Sequence, residues 1–459
     1  MHALAPQRAV KDLSALARQG DLGAYAQQID RLGGCEQPIR MEGHRFDVDP
    51  STGEVVRSLT GNGLPAGQLL VRCGNRRTTR CASCAETYRG DTYQLISAGL
   101  CGGKGVGQEV AEHPRVFATF TAPSFGPVHN RPAHGRCRCG RTHGADAPVL
   151  GTPLDSGRYD YRGAVLWNAH AGALWGRFTT YLRQQLAALA GVSRTELRRM
   201  ARISYAKVAE YQRRGAVHFH AVIRIDGPEG PGSTPPVWAT TTLLADAIRA
   251  AAAMSEVSGP SLDGRNHAFR FGSQLDIRPI RSADFSGSSE LTSRAVAGYI
   301  AKYATKGAES ATGTVDRPIR NPVTDLIGSD VTDHARELIL TCWRLGALPE
   351  LRELHLRRWA HMLGFRGHFT TKSRAYSVTL GSLRRARADH NEAAARERAA
   401  LAGHPLPEPG TVLVLAHWRF AGTGLTSAEH VLAHGLAMPE PENPATGDEG
   451  ASPCIPTLC

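Results

Sequence analysis

The sequence contains no long apolar run. None approaches the roughly 18 consecutive apolar residues that mark a membrane-spanning helix. The first residues, MHALAPQRAVKDLSALARQG, also lack the apolar centre of a secretory signal peptide. We therefore expect a soluble, cytoplasmic protein with no membrane partner, and 459 residues are enough for about two to four domains with hydrophobic cores.

Lysine is scarce, although the chain is basic. Six of the 54 lysine and arginine residues are lysine, so 54 − 6 leaves 48 arginines, and the formal net charge is +12. The guanidinium group makes paired hydrogen bonds to phosphate and stacks on bases, so this composition favours a nucleic acid partner. A GC-rich genome would also enrich arginine, and composition alone does not separate the two explanations.

Cysteine is too sparse for a disulfide scaffold, with ten residues in the whole chain. Its clustering indicates a metal instead, because Cys73, Cys81 and Cys84 form a C-x7-C-x2-C pattern. Structural Zn²⁺ takes four nitrogen or sulfur ligands, so the pattern predicts a zinc site that needs one more. The candidates for further ligands are Cys101, Cys137, Cys139 and His143.

Hydrophobic periodicity predicts an α+β protein with an antiparallel sheet. PRVFATFTAP and FGSQLDIRPI are typical of strands, and we expect a long helix at about 163–190 and a second helix at about 193–201. The predicted regions are a partly helical N-terminal region (1–70), a small Cys-rich zinc module (71–107), a sheet domain (108–310) with an inserted Cys/His loop (124–160), an Arg-rich helical region (311–400), and a strand, helix and disordered tail (401–459).

The stretch EYQRRGAVHFHAVIRID predicts a β-hairpin with a polar cluster on one face. Strands at 205–212 and 216–225 are separated by a three-residue loop that ends in glycine, which pairs Glu210 with His218. His218 and His220 share a face because side chains alternate with a period of two. A lone H-x-H on a strand is more often incidental, but the facing glutamate favours a metal site with open positions for water and substrate.

A second motif, GYIAKYATKG, predicts a helix that carries two tyrosines on one face. Tyr299 and Tyr303 are four residues apart, and Lys302 and Lys306 flank them. Tyrosines at this spacing are usually core residues. Here the apolar positions lie on the opposite side, so the phenols are candidate nucleophiles that a nearby cation would activate.

In this order, FATFTAP, GAVHFHAVIRID and YIAKYATK resemble the three motifs of rolling-circle replication initiators of the HUH endonuclease superfamily. More narrowly, PRVFATFTAPSFGPVH, YDYRGAVLWN, KVAEYQRRGAVHFHA, AGYIAKYATKG and GFRGHFTTKSRAYS resemble the replication initiators of actinobacterial plasmids and integrative elements. The resemblance spans about Cys73 to about Arg385. It departs from the family before YDY, where a CxxC is replaced by Asp155 and Arg158, which argues against a second zinc site.

The resemblance implies a metal-dependent, site-specific nickase with an HUH endonuclease domain at 108–310. His218 and His220, with Glu210 as third ligand, would hold Mg²⁺ or Mn²⁺, although this ligand set also suits Zn²⁺ or Fe²⁺. One tyrosine, taken here as Tyr299, would form a 5′-phosphotyrosine and leave a free 3′-OH primer. Tyr303 would act in a second step, and Lys302 would bind phosphate or activate a tyrosine.

The resemblance also implies origin DNA as partner. No GxxxxGK[ST] phosphate loop can be fitted, so a host helicase is expected to separate the strands. A conjugative relaxase or a two-tyrosine transposase would share the nicking chemistry, and a non-catalytic, zinc-stabilised DNA-binding regulator would share the charge and the cysteines. The candidate DNA-binding residues are Arg213, Arg214, Lys306, Arg357, Arg358, Arg366 and Lys372.

Overall fold

The computed structural model describes Ser14 and residues 22–64, 67–262, 264–280, 292–306, 317–403, 406 and 410–437. The predicted helical start of the chain lies mostly outside this part, and the predicted disordered tail beyond residue 437 lies wholly outside it. Within it, no helix combines the length and the apolar character that crossing a membrane requires.

Ten helices and eleven strands of the described residues are used below. The helices are α1 Leu22–Asp30, α2 Ala82–Cys101, α3 Tyr161–Leu189, α4 Arg194–Met200, α5 Thr241–Met254, α6 Ser293–Ala304, α7 Pro322–Asp325, α8 Asp333–Leu345, α9 Leu380–Leu401 and α10 Ser427–Ala437. The strands are β1 Ile39–Val48, β2 Val55–Thr60, β3 Leu69–Val71, β4 Arg115–Phe120, β5 Arg202–Tyr211, β6 Val217–Asp226, β7 Glu256–Leu262, β8 Arg265–Arg270, β9 Leu275–Pro279, β10 Thr370–Lys372 and β11 Leu413–Thr423.

The first of two compact units combines the two ends of the chain, Met1–Cys73 and Pro407–Cys459. Its antiparallel sheet has the order β11-β1-β2, and β3 also pairs with β1. Inside this unit the carboxylate of Glu429 accepts hydrogen bonds from Arg40 at 2.7 Å and from the phenol of Tyr25 at 2.5 Å. These buried polar contacts tie α1 and α10 to the sheet.

The second unit, Gly74–Leu406, is built on a five-stranded antiparallel sheet with the order β10-β5-β6-β4-β9. Two strands flank β6 on either side, so β6, which carries His218 and His220, is the central strand. A separate hairpin pairs β7 with β8. The prediction of an α+β fold with antiparallel sheets is confirmed.

The two faces of the five-stranded sheet are covered by different helices. On one face, α3 and α5 pack against Phe219, Ala221 and Ile223 of β6 in the larger hydrophobic core. On the other face, α2 and α6 pack against Val208 and Val222 in a smaller core. The smaller core does not cover the whole of this face of the sheet, and polar residues of β5 and β6 occupy the rest.

Three of the predicted regions share most of one compact unit. Residues 74–107 and the segment 311–400 belong to the same unit as 108–310, and β10 pairs with β5 as an edge strand. A cut at 310 would therefore remove a strand from the sheet. The N-terminal region is also richer in strand than predicted, because β1, β2 and β3 lie within residues 39–71.

Candidate active site and metal centres

The β5–β6 hairpin has the predicted register, with Glu210 opposite His218. The backbone N–H of Gln212 donates to the carbonyl of Ala216 across the turn at 2.9 Å. Gly215 has φ +74°, a left-handed conformation that glycine adopts without a side-chain clash. The turn therefore fixes the register that brings the carboxylate and the two imidazoles to one face.

The three predicted metal ligands, Glu210, His218 and His220, form a compact triad. Oε2 of Glu210 lies 3.1 Å from Nε2 of His218 and 2.9 Å from Nε2 of His220, and these two nitrogen atoms are 3.1 Å apart. Ligands about 2.1 Å from one octahedral ion lie about 3 Å from each other when adjacent. The spacing of these atoms therefore fits a divalent cation.

The charge states of the triad suit metal binding. Burial alone would raise the pKa of Glu210, but hydrogen bonds from His218 and His220 lower it to about 2. Burial lowers the pKa of His220 from its ordinary value. At neutral pH the carboxylate is ionised and the His220 imidazole is neutral, which are the forms that coordinate a metal.

Neighbouring strand β4 holds the His220 ring in one orientation. The hydroxyl of Thr119, which lies opposite His220 in the strand pairing, is 3.0 Å from Nδ1. The ring of Phe117 stacks on the imidazole at 5.7 Å with an interplanar angle of 3°. Because Nδ1 contacts Thr119, Nε2 is the nitrogen that faces Glu210 and His218.

Helix α6 brings both tyrosines to the triad. The side chain of Thr292 caps the helix by accepting from the backbone N–H of Ala295, and the apolar side of the helix is buried in the smaller core. This orientation places the hydroxyl of Tyr299 3.2 Å from Nε2 of His220. The ring centroids of Tyr299 and Tyr303 are 4.6 Å apart.

Both phenols resist ionisation in this environment. Burial, followed by the negative charge of Glu210, raises the pKa of Tyr299 and of Tyr303. A cation would favour the phenolate, and Nζ of Lys306 lies 4.7 Å from the centre of the Tyr303 ring. Lys302, the predicted catalytic lysine, is farther from that centre, at 5.9 Å.

Arg213 and Arg214, both predicted to bind DNA, differ in their surroundings. Arg213 is exposed at the tip of the hairpin. The guanidinium of Arg214 donates to the backbone carbonyls of Ala122 and Pro123 at 2.8 and 2.7 Å. Arg214 therefore holds the end of β4 against the hairpin, and its contact with DNA stays a prediction.

The remaining predicted DNA contacts lie away from the triad along the chain. Arg357 and Arg358 lie over the rings of Trp343 and Trp359. Arg366 donates to a backbone carbonyl at 2.6 Å, and Nζ of half-buried Lys372 donates to another at 2.8 Å. Arg357, Arg358 and Arg366 remain exposed, whereas burial lowers the pKa of Lys372.

Cys81 and Cys84 of the Cys-rich pattern lie at the start of α2, and both are buried. A structural Zn²⁺ there would need four nitrogen or sulfur ligands. In the first unit, the backbone N–H of Cys73 donates to Sγ of buried Cys35 at 3.3 Å. Sequence reasoning missed Cys35, because it precedes Cys73 by 38 residues and forms no spacing motif with it. The zinc site predicted from Cys73, Cys81 and Cys84 stays a prediction.

The predicted further ligands of that site lie elsewhere in the second unit. Cys101 is exposed at the C-terminal end of α2. Cys137, Cys139 and His143 instead belong to a separate group that also includes His129.

The structure also shows a cationic cavity that no sequence motif indicated. The cavity has a volume of about 680 Å³. The arginines that line it come from α3, α4, the start of β5 and the segment after β10, which are far apart in sequence. They are Arg183, Arg194, Arg198, Arg202 and Arg374.

Comparison with known proteins identifies the family. A protein from Streptomyces ambofaciens named "Replication initiator protein" is 56% identical to this chain over 432 residues, which cover 93% of this chain and 92% of the relative. No solved structure matches the chain. The family model described as "Replication initiator protein, pSAM2" matches residues 21–438. The resemblance to plasmid replication initiators is thereby confirmed, and the chain belongs to the pSAM2 family of replication initiator proteins.

Proposed function

We propose that this replication initiator starts rolling-circle replication by cutting one strand of its origin DNA with a tyrosine nucleophile. The observation that carries the proposal is the 3.2 Å contact between the Tyr299 hydroxyl and Nε2 of His220. It joins a nucleophile to a group of three metal-binding side chains on the face of a sheet. A regulator that only binds DNA has no need of this arrangement.

In the proposed reaction the phenolic oxygen of Tyr299 attacks the phosphorus in line with the departing 3′-oxygen. The O–P bond to tyrosine forms as the bond to the 3′-oxygen breaks, and the phenolic proton is lost while the 3′-oxygen gains one from solvent. The products are a 5′-phosphotyrosine and a free 3′-OH that can prime synthesis. No cofactor is consumed.

The triad fits Mg²⁺ or Mn²⁺ by its charge and its spacing. Such an ion, when bound, would polarise the scissile phosphate and stabilise the charge on the leaving oxygen. The protein contributes the fixed positions: Thr119 holds the His220 ring, and α6 holds Tyr299 beside it. The hydrophobic packing of α6 fixes the rotation of this helix, so the side chain of Tyr299 stays beside His220.

Tyr303 is proposed to act in a second strand transfer. It lies one helical turn from Tyr299, and its ring is 6.1 Å from that of His220. Lys306, with its ammonium group over the Tyr303 ring, and Lys302 would bind phosphate or favour the phenolate. The proposed partners are single-stranded origin DNA at the nick and a host helicase.

A covalent-adduct assay tests the proposal. Labelled single-stranded origin DNA is mixed with the protein and Mn²⁺ and separated on a denaturing gel. We expect a metal-dependent shifted band that is absent from the His218→Ala/His220→Ala variant and from Tyr299→Phe. Tyr303→Phe should still form the first adduct but fail to release or transfer the strand.

Tyr181→Phe is the matched control, since Tyr181 packs against the larger core instead of the triad. This variant should form the adduct as the wild type does. If the wild type binds its origin DNA but forms no adduct on either strand, the chain is a DNA-binding regulator and the proposal is wrong. An adduct that persists in Tyr299→Phe but not in Tyr303→Phe would reverse the roles of the two tyrosines.

A further inference from the structure

Residues 121–160 connect β4 to α3 with little regular structure. The segment contains one short 3-10 helix, Ser156–Arg158, and one isolated bridge between Val128 and Pro153. Irregular connections longer than about 15 residues are uncommon in compact domains unless something besides a hydrophobic core holds them. The middle of this segment contains a cluster of sulfur and nitrogen atoms.

Four side chains of this loop converge on one point. One ligand atom from each of His129, Cys137, Cys139 and His143 lies within 4.8 Å of the other three. Sγ of Cys139 is 3.2 Å from Nε2 of His143, and Sγ of Cys137 is 3.9 Å from Nδ1 of His129. The two imidazole nitrogens are 3.4 Å apart.

The backbone around the cluster is shaped as a tight turn. The N–H of Gly140 donates to the carbonyl of Cys137 at 2.8 Å, and the N–H of Cys137 donates to the carbonyl of Arg141 at 3.0 Å. Gly140 adopts φ +83°, which the turn requires. The N–H of Asn130 points at Sγ of Cys137 at 3.5 Å, an arrangement that stabilises a thiolate.

We propose that His129, Cys137, Cys139 and His143 form a second structural Zn²⁺ site. Two thiolates and two imidazoles are the donor set that zinc prefers in a closed, four-coordinate site. All four positions are filled by protein, unlike the Glu210 triad, which leaves positions open. The departure from the family before YDY therefore does not remove the site, because histidines supply the missing ligands.

The zinc ion would also fix one wall of a cleft. A cavity of about 680 Å³ lies beside the hairpin, and His129 is among its lining residues. Arg131 and Arg138 from the loop line it together with Arg213 from the hairpin tip. Zinc at His129 and Cys137 holds the segments that carry Arg131 and Arg138, so it sets the positions of these two positive charges.

Zinc content measured on the purified full chain tests the site. We expect Cys139→Ser/His143→Ala to contain one zinc ion per chain fewer than the wild type. His134→Ala is the matched control, because His134 lies exposed in the same loop but outside the cluster, and it should retain the wild-type number. Limited proteolysis should cut the double variant within 121–160 while leaving the control intact.

Cobalt provides a second readout. The proposed site offers two thiolates to cobalt, those of Cys137 and Cys139. The thiolate-to-cobalt absorption of the double variant should therefore fall below that of the wild type by the contribution of two thiolates, and His134→Ala should match the wild type. An unchanged zinc number or an unchanged cobalt absorption in Cys139→Ser/His143→Ala would overturn the proposal.

The arginine-lined cavity at the other end of β5 carries a second, independent inference. In the described part of the chain, no ion pair neutralises Arg183, Arg194, Arg198, Arg202 or Arg374. The nearest carboxylate in sequence, that of Glu196, is occupied in capping α4. Five guanidinium groups around one groove, without acidic partners, form a strong site for phosphates.

We infer that this groove binds the phosphate backbone of double-stranded origin DNA beside the nick site. The inference rests on the proposed function. Arg202 and Glu210 are eight residues apart on β5, about 27 Å at the rise of an extended strand. That distance corresponds to about eight base-pair steps of duplex DNA, so a strand held at the triad would meet its duplex at the groove.

Salt-dependent binding tests the groove. Arg194→Ala/Arg198→Ala should bind a duplex-flanked origin at least tenfold more weakly at physiological salt. The slope of log affinity against log salt concentration should be smaller in magnitude by about two, one for each phosphate that is no longer neutralised. Arg384→Ala/Arg385→Ala, which removes two exposed charges from α9, should leave this slope unchanged.

Cleavage of a short single-stranded oligonucleotide separates the two proposals. The groove variant should cleave it at the wild-type rate, since the triad and Tyr299 are untouched. An unchanged salt slope on the duplex-flanked origin would overturn the groove assignment while leaving the nicking proposal intact. Failure of the wild type to cleave would instead remove the proposed function itself.

Discussion

The two faces of β6 carry different kinds of residue, although they alternate along one strand. One face presents His218 and His220 to Glu210 and to the tyrosine helix. The other presents Phe219, Ala221 and Ile223 to the larger core, where all three are fully buried. Side chains alternate between the two faces of the sheet. The candidate reactive side chains and the side chains that stabilise the sheet are therefore neighbours along β6 but lie on opposite faces.

The largest difference between the faces should come from the histidines. We expect His218→Ala/His220→Ala to lower the rate of adduct formation by about a thousandfold or more, because loss of the cation removes several kcal/mol of transition-state stabilisation. The midpoint of chemical denaturation should change little, since the pair contributes little apolar burial. If the double variant also lost stability, and this loss accounted for its lost activity, the histidines would contribute to the stability of the sheet as well as to the reaction.

Phe219→Ala should have the converse effect. Removing this fully buried ring should lower the free energy of unfolding by about 3–5 kcal/mol, through lost burial and the cavity that remains. Denaturant titration measures this loss, and Phe219→Leu should recover most of it. If Phe219→Ala were as stable as the wild type, the core face would not be the source of the sheet's stability.

Lys207 is the exception on the core face. It lies opposite Ala221 with its ammonium 4.2 Å from the centre of the Phe219 ring, and burial lowers its pKa to about 7. An unfolded lysine keeps its proton up to about pH 10.5. Between pH 7 and 10.5 the unfolded chain therefore binds more protons, and the free energy of unfolding rises with pH.

Lys207→Met removes this titration and should stabilise the protein by about 1–3 kcal/mol below pH 7. The gain should shrink as the pH approaches 10, where the wild-type lysine is neutral in the folded state. Denaturation curves at pH 6 and pH 9 measure the difference. An equal gain at both pH values would mean that the buried lysine is not the source of the penalty.

The smallest expected effect concerns the group that orients His220. Thr119→Val removes the hydroxyl that contacts Nδ1, and we expect the rate of adduct formation to fall about tenfold, with a higher Mn²⁺ concentration needed for half-maximal rate. Thr119→Ser keeps the hydroxyl and should retain the wild-type metal requirement. A change in rate with no change in metal requirement would contradict a positioning role.

Local patterns in the sequence were sufficient to predict the triad. The loop that ends at Gly215 fixes the pairing of Glu210 with His218, and strand periodicity places His220 beside them, so only neighbouring residues are involved. The tyrosine face of α6 follows in the same way from helical spacing. These features needed no knowledge of the rest of the fold.

Features that depend on distant segments could not be predicted. Sγ of Cys35 accepts a hydrogen bond from the backbone N–H of Cys73, 38 residues away, and His129 joins the loop cluster from eight residues before Cys137. Strand β10 is three residues long and pairs across more than 150 positions. Arg214 has the same side chain as Arg213, and only the fold shows that it binds carbonyl groups of its own chain.

The pairing of β1 with β11 has a consequence for how the protein is made. Ile39 pairs with Thr423, so β1 lacks one of its neighbouring strands until the residues between these two positions have been translated. At about 5–20 residues per second, the wait lasts roughly 20–75 s. A chain whose translation stops before β11 therefore has a first sheet that lacks this strand.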